Sequence, residues 1–406
     1  MTKGINDLLP ARLLQALAAR GLTKGQLASL VGVAAPTVTK WCKGDQSPES
    51  DTFDRLASVL NVQPEWLTRA LLQPISTPLY RSNAAALKTA YAKLEARAQW
   101  TQEAALLLGE FVDYPDVNLP LRMFTAPEQI CDTDIESAAE ECRMLWQLGR
   151  GPIQNLALAA EGAGIIIVRE ETEISAIEGL SSWSNLMGRP IVLLSADKAN
   201  AFRSRFDLAH EIGHLVLHKH IPSTKERDRY KQMERQAHQF AGALLLPTET
   251  FASEVRLPPN LDNLLILKQR WGASVAAMMM RTHSLGLLSD DEKLALFKRR
   301  SARWGSRSEP GDDKWEPEVP RLLRRTIELL VSEGILPAAS IPRHLGFSAL
   351  DVEKLCGLRD DYFGTPAEVV ELATLRNARA IRSTDKSAHT TVAEHSKVVS
   401  FANFKK

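Results

Sequence analysis

Cysteine is scarce and unpatterned in this sequence. Cys42, Cys131, Cys142 and Cys356 form no CxxC pair, which argues against a thiolate metal site and suits a reducing compartment. No apolar stretch approaches the roughly 20 residues of a membrane-spanning helix. Arginines interrupt the first twenty residues, so no apolar core of a secretory leader is present there. The expectation is a cytoplasmic protein with no membrane partner. An excess of one charge is missing too: 50 basic side chains face 49 acidic ones, so any affinity for nucleic acid must be local. No internal repeat is visible. What is there, 44% hydrophobic and 24% charged residues over 406 positions, has room for two or three globular domains.

The pattern along the chain predicts an α+β, mostly helical protein. In residues 10–70 short helices follow one another, with Leu13, Leu14 and Leu17 on one apolar face and Gly21 as a stop. Thr23 is placed to cap a second helix that buries Leu27, Ala28 and Val31, and Gly32-Val33 turns into a third. Two more helices are expected at 51–60 and 64–71. Gln73-Pro-Ile-Ser-Thr-Pro78 reads as a linker, 84–111 as a helix and 114–120 as extended.

A new unit begins near Asp132, where Thr133-Asp-Ile-Glu136 matches a capping box. Pro152 can open the next helix and Gly162-Ala-Gly164 close it. Ile165-Ile-Ile-Val168 and Ile191-Val-Leu-Leu194 read as strands, followed by long helices at 199–218 and 225–245. Segment 305–319 is a polar loop, 321–330 and 366–380 are amphipathic helices, and the tail from 384 is expected to be disordered. The resulting division is 1–72, 73–130, 131–250, a helical extension at 251–383, and the tail 384–406.

Within the 199–218 helix lies His210-Glu-Ile-Gly-His214. Four residues of helix advance about 6 Å and return to the same face, so two imidazoles can grip one ion while Glu211 approaches a metal-bound water. A third protein ligand would leave one open position. His218 is about 12 Å along the axis from His210. His220 has the spacing of an extended HExxHxxGxxH motif, but Leu217 stands where glycine would turn the chain. Glu234 on the next helix is preferred, because an antiparallel hairpin can return its carboxylate. His238, one turn further, either ligates, orients an oxyanion or merely lines the cleft. Asp207 either accepts the second ring N–H of His210 or is a surface carboxylate.

Arg205-Phe-Asp-Leu-Ala-His-Glu-Ile-Gly-His-Leu-Val-Leu-His218, with Met233-Glu-Arg-Gln-Ala-His-Gln-Phe-Ala241 and Leu244-Leu-Leu-Pro247, resembles the ImmA/IrrE family of metallopeptidases, most strongly over about 165–250. The resemblance implies a zincin-like domain with a small sheet and Zn2+ as cofactor. By it His210, His214 and Glu234 are metal ligands and Glu211 is the catalytic base. The substrate it implies is a helix-turn-helix repressor or an antitoxin. One departure is Gln236, where the family often has an acidic residue before the alanine.

The second and third helices, with Lys40-Trp-Cys-Lys-Gly44, Ser47-Pro48 and Leu56-Ala57, resemble the Cro/C1-type helix-turn-helix family. Ala34, Ala35, Thr37 and Lys40 would face the major groove of double-stranded DNA, with Lys24 and Lys43 on phosphates. Residues 1–72 hold eight basic and six acidic side chains, a small local excess, so useful operator binding calls for a homodimer. The leading expectation is a DNA-binding regulator that also cleaves a partner repressor or antitoxin. The competing one is a transcription factor or antitoxin whose peptidase fold senses or docks without turnover.

Overall fold

The computed structural model describes residues 8–76, 85–171, 178–197, 199–222, 226–305 and 308–364. The fold is α+β and mostly helical. It opens with α1 (Pro10–Arg20), α2 (Lys24–Val31), α3 (Ala35–Lys43) and α4 (Ser50–Leu60). Pro10 starts α1 where no N–H is needed, and Gly21 ends it at φ 63°, a left-handed turn. Leu13 and Leu17 are buried, but Leu14 is 44% exposed; one residue of helix rotates it about 100° off the apolar stripe. Thr23 and Gln26 close a reciprocal capping box at α2. Leu27, Ala28 and Val31 pack beneath it, with Val38 and Trp41 of α3.

The helix expected at 64–71 is only a 3-10 turn, Pro64–Thr68. Arg69 is already extended, at φ −71° and ψ 139°, so no further helical turn follows. The Arg12 side chain donates instead to the carbonyls of Arg69 (2.9 Å) and Ala70 (2.8 Å).

Next come α5 (Ala85–Leu108), α6 (Asp132–Leu145) and α7 (Leu156–Gly162). Residues 114–120 adopt no regular structure. The box expected at 133–136 sits elsewhere. Asp134 accepts the Cys131 N–H at 2.9 Å, while Glu136 turns to an ion pair with Arg281. Pro152 does not open α7; Asn155 caps it, its side chain accepting from Leu158 N at 2.8 Å.

β1 (Ile166–Glu170), β2 (Gly179–Ser184) and β3 (Arg189–Ser195) form a sheet in the order β1-β3-β2. β1 runs parallel to β3 with Val168 opposite Leu193, and β2 runs antiparallel with Leu180 opposite the same leucine. β2 was not expected, because Gly-Leu-Ser-Ser-Trp-Ser has no β-branched run; its sign is the inward alternation of Leu180, Ser182 and Ser184. α8 (Ala201–Leu217) and α9 (Arg227–Leu245) follow, then α10 (Thr248–Glu254), α11 (Leu261–Trp271), α12 (Val275–Ser284) and α13 (Asp290–Trp304). The chain then passes through α14 (Leu322–Ser332), α15 (Ile341–Leu345) and α16 (Ala349–Cys356). The expected helix at 366–380 and the tail from 384 lie outside the described residues. Among the described residues no helix is long and apolar enough to cross a membrane.

Two apolar cores result. One gathers α6–α13 and one face of the sheet. The other joins α1–α4, α5, α14–α16 and the opposite face. α5 is the shared spine of that second core, and polar groups fix its register. Glu103 receives Arg12 (2.7 Å) and Trp66 Nε1 (3.1 Å). Arg97 donates to Glu170 of β1 (2.8 Å) and to Asp351 of α16 (2.7 Å). Asp351 also takes Arg20 at the end of α1 (2.8 Å). Trp100 stacks on Phe347 (4.8 Å between centroids) and meets Trp66 edge-on (5.4 Å).

Arg12 is 1% exposed and Glu103 4%, so removing the carboxylate strands a buried guanidinium. Glu103→Ala is expected to lower unfolding free energy by about 3–5 kcal/mol, read from urea denaturation. A change below about 1 kcal/mol would show that this pair does not hold α1 to α5.

Candidate metal centre

α8 is set by its sequence at its start. Asn200 accepts the Arg203 N–H at 2.9 Å to start it, and thirteen of its seventeen residues are buried. α9 packs antiparallel along it, as the short connection demands. Gly213 sets how close they come: a Cβ there would lie 3.1 Å from Phe240 Cδ1 and 3.2 Å from the Ala237 backbone. A side chain at 213 would push α9 outward, and with it Glu234.

At this crossing the Nε2 atoms of His210 and His214 stand 3.1 Å apart. Glu234 Oε2 is 3.5 Å from His210 Nε2, and Oε1 is 3.4 Å from His214 Nε2. Among the described residues these three form the group of donor atoms close enough to share an ion. Tetrahedral zinc with bonds of 2.0–2.1 Å separates its nitrogen ligands by about 3.3 Å, so the donor triangle fits such an ion. The donor chemistry, two imidazoles and one carboxylate, fits as well. Of the competing third donors, His218 is turned away and buried behind His214 (ring nitrogens 2.9 Å apart). His220 is exposed beyond the end of α8.

The electrostatics follow from this convergence. Burial alone would raise the Glu234 carboxyl, but His210 and His214 facing it hold it well below the usual range. Burial works against a charged His210, and Glu234, Glu211 and Asp207 together outweigh it and raise its pKa. Glu211 is buried by α8 and reaches the start of β2, where a Cβ on Gly179 would come 3.0 Å from its Oε1. Among the described residues its carboxylate has no hydrogen-bond or ion-pair partner.

Residues 160–283 match the model of the IrrE N-terminal-like domain of peptidase family M78, and residues 13–67 match the helix-turn-helix model. The chain thus carries a helix-turn-helix segment at 13–67 ahead of an IrrE-like segment at 160–283. A search of curated proteins found no match.

The cleft of the IrrE-like domain, about 170 Å3, is walled by β2, α8 and α9, with His238, Phe206 and Asp207 among its lining residues. His238 is not in the donor group. Its Nδ1 bonds the Glu234 carbonyl (2.8 Å) and its ring stands edge-on to His210 at 4.4 Å. Burial, with the charge of His210, lowers its pKa, so it stays neutral and lines the cleft. Asp207 does not accept from His210: the Nδ1 of that ring has no hydrogen-bond partner. Asp207, one turn towards the N-terminus, acts on His210 through its charge.

Two cleft residues escaped the sequence reading, Tyr230 and Tyr91. Tyr230 is four residues before Glu234 on α9 and hydrogen-bonds to it, a spacing that could have revealed it. Tyr91 comes from α5, outside both matched segments, and no local pattern announces it. A larger cavity of about 740 Å3, between α8, α9, α12 and α13, shares Glu178, Phe206, Asp207 and His238 with the cleft.

In the helix-turn-helix domain, Ala34, Ala35 and Lys40 are exposed and Thr37 partly so, at the start and outer side of α3. Lys24 and Lys43 are exposed at the start of α2 and the end of α3.

Any ion at the donor triangle must displace the proton that His210 holds more tightly than usual. Zinc affinity is therefore expected to fall with acidification, with the break above pH 6.5, the ring's ordinary value. Glu234, ionised throughout, adds no break near neutrality. Competition titrations with a chromophoric chelator at stepped pH check this; affinity independent of pH between 5 and 8 would contradict it.

Proposed function

We propose that this chain is a DNA-binding regulator with a zinc-dependent endopeptidase domain that cleaves a partner repressor or antitoxin-like protein. The observation that carries the reading is the meeting of His210, His214 and Glu234 donor atoms within 4.8 Å, beside the unpartnered Glu211. In this reading the three side chains hold the ion, whose chemistry when bound is to polarise a carbonyl and lower the pKa of a bound water. Glu211 takes a proton at its carboxylate and passes it towards the leaving amine. Tyr230 steadies Glu234, and β2 gives an extended peptide a wall at Glu178–Ser181. The 740 Å3 cavity beside the centre offers room for side chains on one side of the scissile bond.

One contact favours regulated activity over a permanently open enzyme, and it also lends weight to a sensor or docking role without turnover. The Ser76 N–H donates to the Trp183 carbonyl (2.8 Å), Ser182 Oγ donates back to Ser76 O, and Ile75 is buried. The chain's own linker thus lies along the outer edge of β2, a place where an incoming strand would pair.

Glu211→Gln separates metal binding from hydrolysis. The variant is expected to keep one zinc per chain by metal analysis, and to lose cleavage of a partner repressor or antitoxin-like protein by about 10²–10⁴-fold. Equal cleavage by both forms would remove Glu211 from the chemistry; no cleavage by either would favour the docking role.

On DNA, Ala34, Ala35, Thr37 and Lys40 are assigned to the major groove and Lys24 and Lys43 to phosphates, with a homodimer spanning two half-sites. Lys24→Ala and Lys43→Ala should each reduce the slope of log K against log salt by about 0.9 per protomer, measured by mobility shift or fluorescence anisotropy. Unchanged slopes would place the DNA elsewhere.

A further inference from the structure

Behind His214 runs a buried chain of hydrogen bonds that the ligand set does not require. His214 Nδ1 meets His218 Nδ1 at 2.9 Å, and His218 Nε2 meets Gln236 Oε1 at 3.1 Å. Gln236 Nε2 then donates to the carbonyls of Pro127 (2.8 Å) and Ile130 (3.3 Å). His218 and Gln236 are each 1% exposed, so water does not complete the set.

These contacts admit one arrangement of protons. The amide nitrogen of Gln236 must face the two carbonyls, because only a donor can bond them. Its oxygen therefore faces His218, whose Nε2 must carry the hydrogen. A neutral imidazole with Nε2–H has a lone pair at Nδ1, and that lone pair needs a donor. The donor is Nδ1–H of His214. Its remaining nitrogen, Nε2, then has its lone pair directed at the site shared with His210 and Glu234. An acid at position 236 could accept from His218 but could not donate to Pro127 and Ile130. His210 has no such backing, since its Nδ1 has no partner.

We infer that His218 and Gln236 are positioning residues that lock His214 in its Nδ1–H tautomer, presenting the Nε2 lone pair before the ion arrives. Taken as preorganisation of a metal ligand, this rests on the zinc-peptidase reading; taken as a statement about tautomers, it does not. The relay also ties His214 to the turn Pro127–Gln129 ahead of α6, a segment outside the matched domain.

The first measurement uses the intact, metal-free wild type with ¹⁵N-labelled histidine and long-range ¹H–¹⁵N correlation. His214 is expected as Nδ1–H and His218 as Nε2–H; His214 protonated at Nε2 instead overturns the relay. The second is zinc affinity by chelator competition. His218→Phe and Gln236→Met should each lose about 10–100-fold. His218→Gln, whose amide can accept from Nδ1 and donate to Gln236, should recover most of it. Affinities of both Phe and Met variants within about twofold of wild type would sink the positioning role. If His218→Phe fails to fold, Gln236→Met and the wild-type spectrum still decide. Should the wild type itself take up no zinc, the peptidase reading fails, and the tautomer spectrum judges the relay alone.

Discussion

The close approach of α8 and α9 is the constraint on which the rest of the molecule depends. Gly213 removes the one side chain that would hold the helices apart, and Phe240 and Ala237 fill the space. Because two helices in van der Waals contact leave little freedom, Glu234 arrives at the imidazole pair with its carboxylate already desolvated. A carboxylate and two ring nitrogens so close, in a half-buried cleft, form a site whose charge is best balanced by a cation. The depressed Glu234 and raised His210 express that demand in the language of protons.

α5 carries the second theme. Along one helix it presents Glu103 to α1 of the helix-turn-helix domain, Arg97 to β1 and α16, and Tyr91 to the cleft. The helix-turn-helix domain therefore does not hang from a free tether. Its α1 is bonded to a helix that also touches the wall of the candidate metal centre, and the linker after it is paired with β2. A buried ionic group is costly to break once formed, so these contacts specify one arrangement of the described helices.

Local signals were legible where one segment could satisfy its own needs. Thr23 and Gln26 cap each other, Gly21 ends α1, and HExxH sits on a helix, because each involves residues within a turn. The misreadings share the opposite property. The box at 133–136 lost Glu136 to Arg281, 145 positions away. The helix at 64–71 stopped at Thr68, where Arg69 turns extended and Arg12 takes the carbonyls of Arg69 and Ala70. β2 is a strand by virtue of β3 beside it, not by composition. Of the two roles left open for Asp207, the hydrogen bond to His210 is not made, and Tyr91 could not be seen from the motif at all.

By itself the sequence determined the two domain types, the helix bearing His210, Glu211 and His214, and Glu234 as the preferred partner. The helix and its imidazole pair follow from periodicity and spacing, properties of a few consecutive turns, while the domain types rest on the resemblance of whole motifs. Only the tertiary structure decided that His218 stands behind His214 instead of beside the site, that His220 is outside it, and that α5 and the linker border the cleft. These are contacts between residues far apart in the chain, and their distances are set by how whole helices pack.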